Sequence, residues 1–355
     1  MIERVKKLRK FMKKEEVEAM LISNFSNIFY YSNFTSEDAL LLITNNSCYL
    51  FTDSRYTVQA SNECSDFNVI TITRSYSESI KEILVKEGIR SIGFEENLEY
   101  NRYKRFDDVF ECEFKPLNIE SIKVIKDEDE IEKIRKACRI ADKCYKHILG
   151  FIKVGMKEIE IRNEMLRYML EQGASKESFD IIVASGKRGA MPHGIASSKK
   201  IKNGDFVTLD FGCVSDFYCS DITRSFVMGE PSRDMLEIYE IVKEAQQKGL
   251  DVVKSGIKAK DVDFACRNYI EKMGYGDYFT HSTGHGLGIL VHDSLAISPR
   301  SETVLKEGMV FTVEPGIYIE GLGGIRIEDD VVVTESGCEV LTKSTKKLIK
   351  IKDNK

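Results

Sequence analysis

Apolar positions run along this chain in two rhythms. At the start, Ile2, Val5, Leu8 and Phe11 recur at helical spacing, with Arg4, Lys6, Lys7, Arg9, Lys10, Lys13 and Lys14 between them. This predicts a surface helix with a solvated basic face. Short continuous apolar runs follow at 19–22, 39–44 and 48–51 and read as strands, with Asn45-Asn46-Ser47 as a hairpin turn between the last two. A helix is predicted over 76–86, stopped by Gly88, then a strand over 91–94. The first 120 or so residues thus read as a small mixed α/β domain.

The pattern changes near 123–129, which sets expected domains of 1–122 and 123–355. Helices are predicted over 127–152 and 158–172, with acidic residues opening the first and Gly155 and Gly173 past the two ends. Extended segments follow at 179–184, 206–212 and 218–228. Two more helices, 234–255 and 259–273, lead into strands at 309–314, 318–320, 324–334 and 339–342. Two helices then strands, twice over, suggests duplication of the architecture, though the residues themselves show no repeat. The expected class is α+β.

Composition narrows the setting. A chain of 355 residues is long for one core and suits two domains. Hydrophobic residues at 42% and charged residues at 31% describe a folded, water-soluble chain. A net charge of −5 gives no global attraction to nucleic acid or anionic lipid. No apolar run approaches the roughly 20 residues of a membrane span. The basic N-terminus is not followed by the apolar stretch of a secretory signal, and the nine cysteines include no CxxC pair. A reducing, cytoplasmic setting is expected.

Four of the five histidines, His193, His281, His285 and His292, fall within one hundred residues beside glycines; His147 lies within a predicted helix and reads as a plain helix residue. Asp210 and Asp221 occupy two strands joined by a turn-like link. If the hairpin is symmetric about the Ser215–Asp216 bond, the two carboxylates face each other. Like charges directly opposite are unfavourable, and Arg224 points to the other face. Glu314 and Glu328 repeat the arrangement around Gly321. Arg326 shares the face of Glu328 and is the salt-bridge alternative there. Two acidic hairpins and a histidine cluster call for a compensating cation. Four carboxylates with one imidazole suit two divalent ions, with Mn²⁺ favoured and Co²⁺, Fe²⁺ or Zn²⁺ as alternatives. Such a pair polarises a carbonyl and activates water, so hydrolysis of an amide is the expected reaction.

These segments resemble the pita-bread metallopeptidases, and among them the Xaa-Pro aminopeptidases and Xaa-Pro dipeptidases (prolidases). The resemblance rests on Met191-Pro192-His193-Gly194, Leu209-Asp210-Phe211-Gly212 and Tyr218-Cys219-Ser220-Asp221-Ile222-Thr223-Arg224. It continues through His281-Ser282-Thr283-Gly284-His285-Gly286-Leu287-Gly288, Val291-His292, Glu314-Pro315-Gly316 and Gly324-Ile325-Arg326-Ile327-Glu328-Asp329. Phe51-Thr52-Asp53-Ser54-Arg55-Tyr56 extends it to the creatinase-like, non-catalytic leading domain. The resemblance implies metal ligands Asp210, Asp221, His285, Glu314 and Glu328, with Asp221 and Glu328 bridging. It implies Glu314 as proton acceptor, His292 on the scissile carbonyl, His193 on the proline side, and supporting places for His281 and Arg326.

It also implies peptide substrates with proline second and a homo-oligomer, commonly a dimer. After His292 the family usually has Glu and a proline-containing run; here Asp293-Ser294-Leu295 leaves the nearby pocket open to change. Cys213 and Cys219 read as packing residues, with Cys219 a minor candidate for oxidation beside Asp221.

An Xaa-Pro bond has no amide N–H, and chemistry directed at the carbonyl needs none. Methionine aminopeptidases lack the leading domain, creatine-cleaving relatives lack the ligands, and a non-enzymatic binding protein on this fold would have lost them. Xaa-Pro aminopeptidase is the favoured expectation, with Xaa-Pro dipeptidase as its alternative.

Overall fold

The computed structural model describes residues 2–352, which fall into two compact units, Met1–Lys123 and Val124–Lys355. The first is built on a six-stranded sheet in the order Asn68–Thr71, Cys48–Thr52, Ala39–Thr44, Ala19–Ile22, Ser91–Glu95, Glu113–Leu117. The three middle strands pair antiparallel and the flanking ones parallel. The continuous apolar run of Ala39–Thr44 is explained by its burial at every position. Ser75 caps the helix Tyr76–Glu87 by accepting from the Glu78 N–H, and Gly88 ends it at φ 67°.

The second unit repeats one plan. Helices Glu128–Phe151 and Glu158–Glu171 share a core with the sheet Lys350–Ile351, Ile222–Met228, Phe206–Phe211, Ile182–Ser185. Asp127 and Glu130 form a reciprocal capping box at the start of the first helix. Helices Arg233–Val252 and Ala259–Lys272 share the other core with the sheet Asp293–Ile297, Gly284–Gly286, Val310–Val313, Asp329–Val333, Cys338–Val340. The doubled order of helices and strands expected from sequence is present.

Two predicted strands are each cut in two. The segment 218–228 forms Tyr218–Cys219 and Ile222–Met228; 324–334 forms Gly323–Arg326 and Asp329–Val333. The gaps fall at Ser220-Asp221 and Ile327-Glu328, so each contains one of the carboxylates singled out above. At both gaps the backbone leaves its ladder: the Asp221 N–H donates to Asp330 Oδ2 at 2.9 Å, and the Glu328 N–H to Thr223 O at 3.1 Å.

The expected facing of Asp210 and Asp221 is corrected. Asp210 lies opposite Thr223, and Phe211 opposite Ile222. The turn is centred one residue later than assumed: Ser215 pairs with Tyr218, leaving Asp216 and Phe217 as a two-residue loop at φ 49° and 67°. Moving the centre by one shifts the register by two, which preserves the face of every side chain. The two carboxylates are therefore diagonal neighbours. The other hairpin follows the expected symmetry about Gly321, with Gly316 opposite Arg326 and Val313 opposite Asp329. Glu314 and Glu328 sit between those two paired blocks.

Candidate metal centre and cavity

A cavity of about 600 Å³ opens in the second unit. Asp210, Asp221, His285, Glu314 and Glu328 all line it, as do His193, His281, His292 and Arg326. Asp210 ends the strand Phe206–Phe211, and Asp221 and Glu328 occupy the two gaps. His285 sits mid-way in Gly284–Gly286, at a register slip. The N–H of Glu314 donates to Thr283 O at 2.8 Å, which turns that residue out of its own ladder.

The close approaches define a centre. One side-chain donor atom each from Asp221, His285 and Glu328 lies within 4.8 Å of the other two. His285 Nε2 is 3.5 Å from Asp221 Oδ2 and 3.4 Å from Glu314 Oε1. Its Nδ1 lies 3.2 Å from the Gly286 carbonyl, so Nδ1 carries the proton and Nε2 presents a lone pair. Burial, then His292, lowers His285 to a pKa of about 4. At neutral pH the imidazole is unprotonated, and its Nε2 lone pair faces Asp221 and Glu314, whose carboxyls burial drives toward the protonated form. A divalent cation among the three would take the place of those protons.

The carboxylates tell the same story. Burial raises Asp221 well above the usual range, and Glu328 and Asp210 nearby add to it. Burial raises Glu328 in the same way, with Glu314 and Asp210 contributing. Burial takes Glu314 up to about 8, against the pull of Arg326. Asp210 Oδ1 and Asp221 Oδ1 are buried without any hydrogen-bond partner, an expensive state for an ionised oxygen. The donor set, the orphaned oxygens and the imidazole lone pair together fit divalent metal.

Neighbouring groups hold the side chains of this cluster. Arg326 Nη2 donates to Asp210 Oδ2 at 2.5 Å, Nε to Thr223 Oγ1 at 3.1 Å, and Nη1 to Tyr318 Oη and Pro192 O at 2.6 and 3.2 Å. The salt-bridge role considered for Arg326 therefore goes to Asp210 rather than Glu328. Glu328 accepts instead from the Thr223 hydroxyl at 2.6 Å. His281 Nδ1 lies 2.8 Å from Ser282 O, so it donates there and Nε2 accepts from the Tyr318 hydroxyl at 2.9 Å. Burial, with Arg326, lowers His281 to about 4. Arg224 does point away, to Asp329 at 2.6 Å.

Sequence reasoning missed Thr223, Tyr318 and Asp330. Asp330 accepts the Asp221 N–H and, at 3.3 Å, the Cys138 thiol. A signal was available: Glu328-Asp329-Asp330 runs directly into Val331-Val332-Val333, an acidic triplet at the head of an apolar strand. His147 lies elsewhere, stacked on Tyr168 at 4.1 Å and bonded to Glu164 at 2.6 Å. Burial pushes the Cys213 and Cys219 thiols up to about 12, and neither lines the cavity.

Residues 4–125 match the creatinase/prolidase N-terminal domain. The chain is 41% identical to the Xaa-Pro dipeptidase of Pyrococcus horikoshii, over 98% of this chain and 99% of that one. The structure of an Xaa-Pro dipeptidase from Bacillus anthracis superposes with a TM-score of 0.97 at 43% identity, covering 98% and 99% of the two chains. That of an X-Pro aminopeptidase from Thermotoga maritima MSB8 superposes with a TM-score of 0.91 at 39% identity and the same coverage. Residues 132–335, which include Asp210, Asp221, His285, Glu314 and Glu328, match metallopeptidase family M24, and the chain belongs to that family.

Proposed function

We propose that this metallopeptidase is an Xaa-Pro dipeptidase acting through two divalent ions that would be held by Asp210, Asp221, His285, Glu314 and Glu328. The observation that carries the metal assignment is the His285 Nε2 lone pair set 3.4–3.5 Å from two carboxylates. When bound, the ions supply a water of lowered pKa and polarise the scissile carbonyl. An oxygen-rich donor set favours Mn²⁺.

The chain's own groups do the rest. Glu314 accepts the proton of the attacking water. His292, its ring 4.3 Å from that of His285, donates to the carbonyl oxygen as charge develops there. His193 lies on the proline side. Arg326 fixes Asp210, and Thr223 fixes Glu328. The free cysteines suit a cytoplasmic enzyme, and a homo-oligomer, as a dimer, is part of the reading.

The dipeptidase reading rests on the relatives of that name, and it displaces aminopeptidase, the favoured expectation from sequence. One observation supports aminopeptidase as the second reading. Among the described residues, Arg326 is the only lysine or arginine lining the cavity, and its donors already serve Asp210, Thr223, Tyr318 and Pro192. A free proline carboxylate would fall to His193 or His292; a longer peptide makes no such demand. Mn²⁺-loaded protein assayed on Xaa-Pro dipeptides and Xaa-Pro-Yaa tripeptides separates the two. Dipeptide cleavage with little action on tripeptides is expected. Cleavage of tripeptides alone replaces the proposal with aminopeptidase, and no cleavage of either overturns both.

A further inference from the structure

Asp293 follows His292 directly, at the point where the chain departs from the pattern it resembles. Its carboxylate does not enter the cavity. Oδ2 instead accepts from Lys126 Nζ at 2.6 Å, and the two side chains are only 4% and 2% exposed. We propose that this buried ion pair sets the position of His292, making Lys126 and Asp293 positioning residues for the reaction. The proposal rests on the reading of His292 as the group that meets the scissile carbonyl.

Lys126 is itself well fixed. Its N–H donates to Gly308 O at 2.9 Å, its ammonium also reaches Val124 O at 3.3 Å, and the capped start of the helix Glu128–Phe151 follows. The loop from Leu287 to His292 joins the strand bearing His285 to the strand that Asp293 begins. At one end, the Leu287 N–H donates to Val310 O at 3.1 Å and Gly288 O accepts from the Cys219 N–H at 2.8 Å. At the other end stands the ion pair. A Cβ on Gly288 would sit 3.2 Å from both Asp293 Oδ2 and Lys126 Cε, so the pair is packed against the loop.

His292 is exposed, and its ring meets that of His285 edge-on at 4.3 Å instead of being enclosed in the core. The backbone at Asp293 is one peptide bond away, so anchoring it fixes where that imidazole can reach. An ion pair this buried is poor evidence for stability, because apolar side chains of similar volume serve as well. What charge adds is a fixed distance between two points 167 residues apart.

The test uses Lys126→Met, the isosteric Asp293→Asn, and the double variant. With Mn²⁺-loaded enzyme, each is expected to lose about 10–100-fold in kcat/KM on the wild-type's best Xaa-Pro peptide, chiefly through kcat, with metal content unchanged. In ¹⁵N-histidine spectra of the Zn²⁺-loaded protein, the His292 imidazole signals are expected to move while those of His147 stay. Melting curves identify folded variants; if Lys126→Met fails to fold, Asp293→Asn carries the test. Unmoved His292 signals, with kcat within about twofold of wild type in a folded variant, would overturn the proposal. If the wild type cleaves no Xaa-Pro peptide, the functional reading fails, while the spectra still decide whether the ion pair places His292.

Discussion

Arg326 Nη2 lies 2.5 Å from Asp210 Oδ2, so of the four clustered carboxylates one has a resident cation and three do not. Arg326 Nε stands 4.0 Å from Glu314, too far to neutralise it fully. This division explains the pKa pattern. Glu314, Glu328 and Asp221 are driven upward first by burial and then by neighbouring carboxylates, Asp210 among them. The centre is acidic by construction, with Asp210 alone oriented by a neighbouring guanidinium.

Arg326 acts through a planar fork that reaches Asp210, Thr223, Tyr318 and Pro192 at once. A lysine places one ammonium where the fork places several donors. Arg326→Lys should fold, keep a positive charge, and lose about 10–100-fold in kcat/KM. Peptide turnover with bound metal measured in parallel checks this; near-wild-type turnover would mean that charge alone is needed.

Part of this was readable from the chain. The run Ala39–Thr44 is apolar at nearly every position because it is buried throughout, and Asn45-Asn46-Ser47 is bound to Thr44 in the turn foreseen. The Asp216-Phe217 loop was misplaced by one residue because a phenylalanine at φ 67° is an uncommon choice that gives no turn signal. The breaks at Asp221 and Glu328 were not read, because the acceptors of their N–H groups, Asp330 and Thr223, are distant in sequence. The helix Phe25–Ser32 was missed for a related reason. It is buried from Ser26 to Ser32, so it has no polar face, and Asn27 is satisfied by Glu95 and Lys123 far along the chain. The five residues expected to bind metal were legible as types at fixed spacings, and all five line one cavity. Among their supporters, Asp330 left a trace in the acidic triplet, while Tyr318 and Lys126 become visible only when the strands are brought together.

Two glycines allow close strand approach beside the donors. A Cβ on Gly284 would lie 1.9 Å from Thr312 O, and one on Gly212 1.7 Å from Ser220 O. Neither contact is with a flexible side chain, so the backbone must move. Gly284→Ala should displace the adjacent His285. The expected result is a melting temperature lowered by a loss of about 1–3 kcal/mol together with weaker metal retention on dialysis. Unchanged metal content in a destabilised variant would separate strand packing from the placement of His285.

The cysteines near the centre should be inert. Cys213 and Cys219 are buried, their thiols pushed up to about 12, and Cys219 Sγ lies 3.5 Å from Ile289 O. Thiolate is the reactive form. Brief iodoacetamide treatment of native protein, followed by peptide mass spectrometry, should label Cys48 and Cys112, which are partly exposed, before either. Early labelling of Cys219 would restore it as an oxidation-sensitive neighbour of Asp221.

Metal removal should make stability depend on pH in a direction set by the carboxylates. Without metal, Glu314 titrates at about 8 in the folded protein against an ordinary 4.5. The folded state then binds more protons than the unfolded state, so Glu314 contributes stability that is complete below 4.5 and lost as pH rises through 8. Asp221 and Glu328, raised by burial and by neighbouring carboxylates, act in the same direction. His285 opposes them. Its pKa is lowered to about 4 from 6.5, so its contribution is complete above 6.5 and lost as pH falls through 4. Between pH 6.5 and 8 the imidazole term is constant and the carboxylates alone decide the slope. The metal-free protein should lose stability across that window by at most about 1.4 kcal/mol per pH unit per group. Bound divalent ions remove the cause, because the ligands are then ionised at every pH in the window. Urea melts of chelated and Mn²⁺-loaded protein at pH 6.5, 7.25 and 8 measure the difference. A chelated protein as stable at 8 as at 6.5 would mean that these carboxylates find partners other than protons, and the case for cations at this centre would weaken with it.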